Sequence, residues 1–215
     1  MQFPDFAKLF EDGREVASAD FGRVVLRRHA AGELVLTTGR VVACDPAVAP
    51  ETEPFAVALP PGSHPVSLGV AHFDDGDQRV AGAVVVAGEG RAVRWELALL
   101  PGESAEALGA GEIYGYGVDS ATGCFMDEEA AAMLSAAMDE DEGVYEVIAD
   151  ALDETYVNTW SWANVVLDPG SGLNVVAFST GMGDGLYATY AGFDAGGRVV
   201  ALVTDFGLFE HEELD

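Results

Sequence analysis

Five aspartates stand where apolar runs of the sequence begin or end, and carboxylates at such positions could do chemistry. They are Asp45, Asp119, Asp127, Asp184 and Asp205. If several strand ends meet in space, these carboxylates would gather into a site for a hard cation, with amide oxygens from Asn158 or Asn164. A pair of them could also act as the acid and base of a glycoside hydrolase. Aspartates at strand ends are commonly turn and cap residues, however, so the residues alone leave these roles open.

Other catalytic and metal-binding patterns do not occur in the sequence. The four histidines have no HxH or HExxH spacing, and no GxSxG nucleophile motif is present. The two cysteines, Cys44 and Cys124, are not part of a CxxC motif. We therefore assign no catalytic residue, no metal ligand and no cofactor. For the cysteines, two buried thiols and one disulfide are the alternatives.

The glycine-rich segment 181–185 has the composition of a phosphate-binding loop. Such a loop must open a helix, because the helix N-terminus meets the phosphate. The residues that follow, 186–190, are typical of a strand, so we predict a turn in which Asp184 bonds nearby N–H groups. A loop that presents Asp184 to a ligand is the alternative.

Aromatic residues in a polar connector form a second candidate contact. Trp160 and Trp162 follow Tyr156 between the predicted helices and the next strand. When exposed, such side chains stack on a sugar or anchor a protein partner, and when buried they cover the end of a core. Their exposure decides between these two interpretations.

The sequence is strongly acidic, with 37 acidic residues against 10 basic ones and a formal net charge of −27. Such a charge repels phosphate backbones and anionic membranes, so we expect neither nucleic acid nor a membrane as a partner. Three roles for the acids are open. They solvate the surface, they attract a basic protein as an immunity-type inhibitor would, or they collect divalent cations.

Self-repulsion at this net charge predicts that salt stabilises the fold. The Debye length is about 10 Å at 0.1 M salt and shortens as salt is added. The melting temperature should therefore rise between low salt and about 0.5 M NaCl. An unchanged melting temperature over that range would contradict the prediction.

Short β-rich runs separated by Gly, Asp and Pro predict a mainly β fold. Segment 174–206 has three such runs and is typical of an antiparallel meander, Thr38-Gly39 predicts a tight hairpin, and 55–59 reads as a short strand. Ten or so short strands with one helical insertion indicate an antiparallel β-sandwich or a distorted barrel, within a β-rich α+β class.

Two helices are predicted within 127–154. Asp127 is placed to cap the first, over 128–138, and the acidic residues after it favour the positive end of a helix. A break near 139–141 precedes a second amphipathic run. We expect a single domain over 1–215, with a short helix and lead-in at 1–22 and an acidic tail at 208–215.

The first residues, Met1-Gln-Phe-Pro, lack the basic and apolar regions of a secretion signal. No apolar stretch approaches the length of about eighteen residues that a membrane span needs. A cytoplasmic location is therefore the expectation.

Segment 174–206 resembles the signature of the bacterial "domain of unknown function 4241" family. The similarity is carried by Phe178-Ser-Thr-Gly-Met-Gly-Asp-Gly185 and by Thr204-Asp205-Phe206. Three upstream blocks fit as well, at 39–46, 61–66 and 118–127, so the resemblance covers most of 39–206. It implies a shared fold and implies no activity, because the family is functionally uncharacterised.

These features favour a small binding or interaction module with a strongly acidic surface, whose partner is a basic protein or a small ligand. The first alternative is a cation-dependent or carboxylate-based hydrolase-like protein that uses the strand-end aspartates. The second is an immunity-type inhibitor of a basic protein. Since the sequence shows no residues at the spacing of a known catalytic motif, we favour the binding module over an enzyme.

Overall fold

Twelve strands form two antiparallel sheets in the computed structural model, which describes residues 3–109 and 112–214. The larger sheet has eight strands and the smaller sheet has four, and one of the two curls into a half-barrel. The predicted mainly β fold with a helical pair is confirmed. Residues 1, 2 and 215, at the outer ends of the predicted lead-in and tail, lie outside the described part, as do 110 and 111.

The strands and helices follow one another along the chain as short elements. The strands are β1 Glu15–Ser18, β2 Gly22–Leu36, β3 Val41–Cys44, β4 Gly62–Phe73, β5 Gln78–Val86, β6 Arg94–Leu97, β7 Tyr116–Val118, β8 Thr122–Asp127, β9 Trp162–Val166, β10 Asn174–Ser179, β11 Gly185–Phe193 and β12 Val199–Asp205. The helices are α1 Glu128–Glu140 and α2 Glu146–Glu154, with 3-10 turns at Phe6–Phe10, Ala105–Ala107, Glu142–Tyr145 and His211–Leu214.

Strand order separates the two sheets cleanly. The larger sheet has the order β1-β2-β4-β5-β12-β11-β6, and β7 pairs with the first residues of β11. The smaller sheet has the order β3-β8-β10-β9. Because β3 and β9 lie at its edges, each has one side without a strand neighbour in the described sheet.

In two places, strands that we predicted to be paired neighbours lie in different sheets. β11 and β12 pair as the meander requires, but β10, the first run of 174–206, lies in the smaller sheet. Thr38-Gly39 is not a hairpin either, since it carries the chain from β2 in the larger sheet to β3 in the smaller one. These two predictions are wrong because a short apolar run shows that a segment is buried without showing which sheet it joins.

The strand predicted at 55–59 is also wrong. The N–H of Phe55 donates to the Val41 carbonyl at 2.9 Å, and the N–H of Leu59 donates to the Gly39 carbonyl at 2.8 Å. The flanking residues Pro54 and Pro60 have no N–H to continue a ladder. The segment therefore borders β3 as irregular chain.

Two clusters of apolar side chains hold the layers together. The first lies between the two sheets and contains the fully buried rings of Phe125 and Phe178. The second lies between the smaller sheet and the two helices and contains Met126, Leu134 and Ile148. Since these clusters occupy opposite faces of the smaller sheet, its central strands are buried on both sides.

A third cluster covers the outer face of the larger sheet, and we call it the outer core. Its sheet residues include Leu26 and Val203, and both ends of the chain pack over them. The end residues are Phe6, Leu9, Phe10, Leu208, Phe209 and Leu214. The predicted short N-terminal helix is thus a docked 3-10 turn, as its length requires.

The α1 helix begins at the predicted cap. The Asp127 carboxylate accepts the N–H of Glu129 at 3.1 Å, and α1 ends at Glu140, inside the predicted break. Asp141 then caps the following 3-10 turn through the N–H of Gly143. No helix of the described residues is both long and apolar enough to cross a lipid bilayer.

Candidate functional site

A cleft of about 180 Å³ lies between the two sheets at the end of β3. Its walls are formed by β3, β7 and β11, together with the segments 49–55 and 98–103. Most of its lining is small or apolar, which is typical of sites for small ligands. The polar side chains of the lining are those of Thr52, Glu103, Tyr114, Tyr116 and Thr189.

Two of these polar side chains shape the segments around the cleft. The Thr52 hydroxyl donates to the Ala49 carbonyl at 2.8 Å. The Glu103 carboxylate accepts the N–H of Leu100 at 2.7 Å. Each bond closes a short turn, so the irregular segments gain a defined path without belonging to a sheet.

A pair of buried hydroxyls stands behind the apolar lining. Thr189 on β11 and Thr204 on β12 are cross-strand partners, and their hydroxyl oxygens are 2.8 Å apart. Both side chains are buried. Two hydroxyls carry two hydrogens and four lone pairs, and their mutual bond uses one of each, so the pair can donate one further hydrogen bond and accept up to three.

Tyr116 adds a third buried hydroxyl near this pair. Among the described residues, its hydroxyl has no hydrogen-bond partner, although Thr204 is close enough to influence its pKa. Burial raises the pKa of Tyr116 well above its usual value, so the phenol stays neutral. A Cβ added at Gly123 would lie 2.7 Å from this hydroxyl, which explains why a glycine occupies that position of β8.

Asp45 fixes the chain next to the cleft. It follows Cys44 at the end of β3 and is fully buried. Its carboxylate accepts the N–H groups of Asp119 and Ser120 at 2.9 and 2.8 Å, the Ser120 hydroxyl at 2.8 Å and the N–H of Ala47 at 2.9 Å. Asp45 therefore ties the turn at 119–121 to the end of β3.

Asp184 bonds to the same turn from the glycine-rich loop. Its carboxylate accepts the N–H of Ala121 at 3.0 Å, and the Ala121 carbonyl accepts the N–H of Thr180 at 3.1 Å. Ala121 has a φ of 54°, which an L-residue adopts only with support from its surroundings. β11 follows the loop directly, so the loop is a turn between strands and does not open a helix.

The other two candidate aspartates have separate partners. Asp127 caps α1 and also accepts the N–H of Thr38 at 3.0 Å. Asp205 accepts the N–H of Gly207 at 3.0 Å and lies 3.6 Å from Nε2 of His211. The hydrogen bond between these two side chains raises the pKa of His211. Both carboxylates thus hold chain segments in place.

The five candidate aspartates do not form one cluster of ligands. The structure brings Asp45 and Asp184 to the turn at 119–121, and the exposed Asp119 is part of that turn. Within residues 3–109 and 112–214, no three His, Cys, Asp or Glu side chains are grouped so that they could hold a metal ion. The candidate amides lie against other segments. The amide nitrogen of Asn158 donates to the Gly76 carbonyl and that of Asn164 to the Glu33 carbonyl, and the amide oxygen of Asn164 accepts from Asn174.

The two candidate tryptophans lie away from the cleft. Trp160 is 6% exposed and stacks on the partly buried Trp162, with 5.4 Å between their rings. The ring of His29 meets that of Trp162 at 4.0 Å, and the Trp160 indole donates to the Gln78 side chain at 3.0 Å. This packing favours the second interpretation of the pair, as a cover over the end of the inter-sheet core.

Reasoning from the sequence missed the hydroxyls at the cleft. Thr189 and Thr204 are threonines inside two largely apolar runs, now β11 and β12, that we predicted to be neighbours. Two such residues in adjacent buried strands are a usable signal for a buried polar pair. No comparable signal marks Tyr116, because a tyrosine in a strand is usually part of the core.

Comparison with known proteins identifies a family. The model of a family described as "Protein of unknown function (DUF4241)" matches residues 34–204. No curated protein and no solved structure matches the chain.

Proposed function

The chain belongs to the DUF4241 family of proteins of unknown function, and on that premise we propose that it is a binding module that takes a small molecule into the cleft between its sheets. One observation carries the proposal. An apolar cleft of about 180 Å³ is backed by the hydroxyl pair of Thr189 and Thr204, which has hydrogen-bonding capacity to spare. Apolar walls with a few convergent polar groups are the usual composition of ligand sites.

The size of the cleft sets the size of the ligand. An apolar cavity of about 150 Å³ accepts a benzene molecule. A cleft of about 180 Å³ therefore suits one ring with a small polar substituent. The substituent would bond the Thr189 hydroxyl while the ring contacts Ala43, Phe55 and Ala98.

The charge of the protein restricts the class of ligand further. The net charge of −27 creates a negative potential around the molecule, and Glu103 stands in the lining. The electrostatic free energy of an anion would rise as it approached, whereas that of a neutral or cationic ligand would not. The strongly acidic surface thus selects against anions before they reach the cleft.

The chemistry of the lining favours binding over catalysis. Cys44 is a potential nucleophile in the lining. Its hydrogen bond with the Cys124 thiol and its burial raise the pKa of Cys44 well above the usual value. Burial likewise keeps the Tyr116 phenol protonated. Glu103 already accepts a backbone N–H. The thiol and the phenol of the lining are thus held in their neutral forms, which disfavours both as catalytic nucleophiles.

A test uses three single-ring probes that differ in charge, namely phenol, benzylamine and benzoate. We expect phenol and benzylamine to bind with a Kd of about 1 mM or tighter, and benzoate to bind at least about tenfold more weakly. Ala98→Phe fills the cleft beside Thr189, since the Ala98 N–H donates to the Thr189 carbonyl at 2.8 Å. Titrations followed by NMR measure the affinities.

Two further variants keep this test decisive. Ala136→Phe adds the same ring on the exposed face of α1, outside the cleft, and should leave the phenol Kd unchanged. Thr189→Val keeps the shape of the wall and removes one hydroxyl, so phenol should bind about threefold to tenfold more weakly. Equal phenol affinity for the parent protein, Ala98→Phe and Thr189→Val would refute a ligand site in the cleft.

A further inference from the structure

The two cysteines of the chain meet across neighbouring strands. Cys44 on β3 and Cys124 on β8 are direct partners in the antiparallel register. Their sulfur atoms are 3.7 Å apart, and both residues are fully buried as free thiols. Eighty positions of sequence separate them, so the fold alone creates this contact.

The positions of the two residues suit a covalent bond. Directly opposed residues of an antiparallel pair have Cα atoms about 4.5–5.5 Å apart, which lies within the range of about 4.4–6.8 Å found in disulfides. The sulfurs need to approach by less than about 2 Å to reach bonding distance. β3 can supply that movement because it is a four-residue strand at the edge of its sheet.

A small reagent comes close to the pair through the cleft. The cleft between the sheets, whose lining includes Cys44, is large enough to hold several water molecules. Both cysteines are themselves fully buried in the apolar cluster beneath the helices. A reagent the size of hydrogen peroxide therefore reaches the pair only when the edge strand β3 moves.

We propose that Cys44 and Cys124 form a modification site that a peroxide converts to an intramolecular disulfide. The Cys44 sulfur attacks one peroxide oxygen, the O–O bond breaks, and the departing hydroxide takes the Cys44 proton, so the products are a sulfenic acid and water. The Cys124 sulfur then attacks the sulfenic sulfur, the S–O bond breaks, and a second water leaves with the Cys124 proton. Overall, two thiols and one hydrogen peroxide give one disulfide and two waters.

The resting state of the pair is the neutral dithiol. The hydrogen bond between the two thiols and the burial of Cys44 raise the pKa of Cys44. The nearby carboxylates of Asp45 and Glu51 raise this pKa as well. Since the thiolate is the reactive form, the first step is slow compared with that of a low-pKa catalytic cysteine. The proximity of Cys124 makes the second step fast, because the attacking thiol is already in contact.

Closure would fasten the edge of the smaller sheet. β3 holds only four residues, and its free edge is bordered by the irregular segment 55–59. A bond from Cys44 to Cys124 ties this strand to β8 at the point where Asp45 holds the turn at 119–121. Opening of β3, and with it of the cleft wall, should therefore become rarer.

The test treats the reduced, full-length protein with hydrogen peroxide at about 1 mM, followed by catalase, denaturation and alkylation of free thiols. We expect an intact mass lower by two hydrogens, no alkylated cysteine, and a peptide that links Cys44 to Cys124. The amides of β3 should exchange at least about tenfold more slowly in the oxidised protein. The melting temperature should rise by about 5–10 °C.

An internal control sets the dose. Met182 is 60% exposed and forms its sulfoxide under the same treatment, so its conversion reports how much peroxide the protein has met. Both cysteines still fully alkylated when Met182 is converted would overturn the proposal, and so would sulfinic acids or disulfide-linked dimers. Cys44→Ala and Cys124→Ala must each abolish the loss of two hydrogens, and if either variant fails to fold, the peptide map of the parent protein decides.

Discussion

Asp127→Ala is expected to lower the free energy of unfolding by about 2–4 kcal/mol. The carboxylate is fully buried and accepts the N–H groups of Thr38, Gly39 and Glu129 at 3.0, 3.3 and 3.1 Å. Losing the cap of α1 costs about 1 kcal/mol. The two N–H groups of the crossover between sheets would lose their acceptor inside the protein, which costs about 1–3 kcal/mol more.

Urea denaturation of the parent protein, Asp127→Ala and Glu128→Gln measures this loss of stability. Glu128→Gln is the matched control, because Glu128 is the next residue and pairs with Arg40 at 3.1 Å in a partly exposed position. Such a pair contributes less than about 1 kcal/mol. If Asp127→Ala unfolds at the same urea concentration as Glu128→Gln, the carboxylate does not hold the crossover.

Asp45→Ala should cost about 3 kcal/mol and also weaken binding in the cleft. The buried carboxylate accepts four hydrogen bonds, three of them from Asp119 and Ser120. Without it, two N–H groups and a hydroxyl of the turn at 119–121 lose their partner. The end of β3, which belongs to the cleft wall, would then move away from β7, so the Kd for phenol should rise several-fold.

The control for Asp45→Ala comes from the same turn. Asp119→Ala removes an exposed carboxylate and leaves the backbone N–H that Asp45 binds, so stability should stay within about 0.5 kcal/mol of the parent protein. Urea denaturation and a phenol titration on both variants give the comparison. A loss of phenol binding in Asp119→Ala with unchanged stability would instead indicate that the exposed carboxylate contacts the ligand.

Local chemistry explains which parts of the fold could be predicted. Asp127 lies before two acidic residues and an apolar stripe, and a helix cap acts on N–H groups two or three residues away. The information for α1 is therefore contained in a few consecutive residues. The same holds for 181–185, where the strand that follows excludes a phosphate-binding helix N-terminus.

Long-range partners explain what could not be predicted. Asp45 is marked as a turn residue by the Pro46 that follows it, but its main partners, Asp119 and Ser120, are more than seventy positions away. The cleft is a space bounded by the irregular segments 49–55 and 98–103, which have no periodicity to read. Its location follows from how two sheets stack, and a single sequence does not encode that in any local pattern.

The outer core has a practical consequence for work on relatives. Phe6, Leu9, Leu208, Phe209 and Leu214 all cover the larger sheet, and all five fall outside the matched range 34–204. A fragment trimmed to those limits would also lack β1 and the first twelve residues of β2. It would expose a large apolar surface to water and would aggregate. Expression boundaries for other family members should therefore be set well outside the segment that the family model matches.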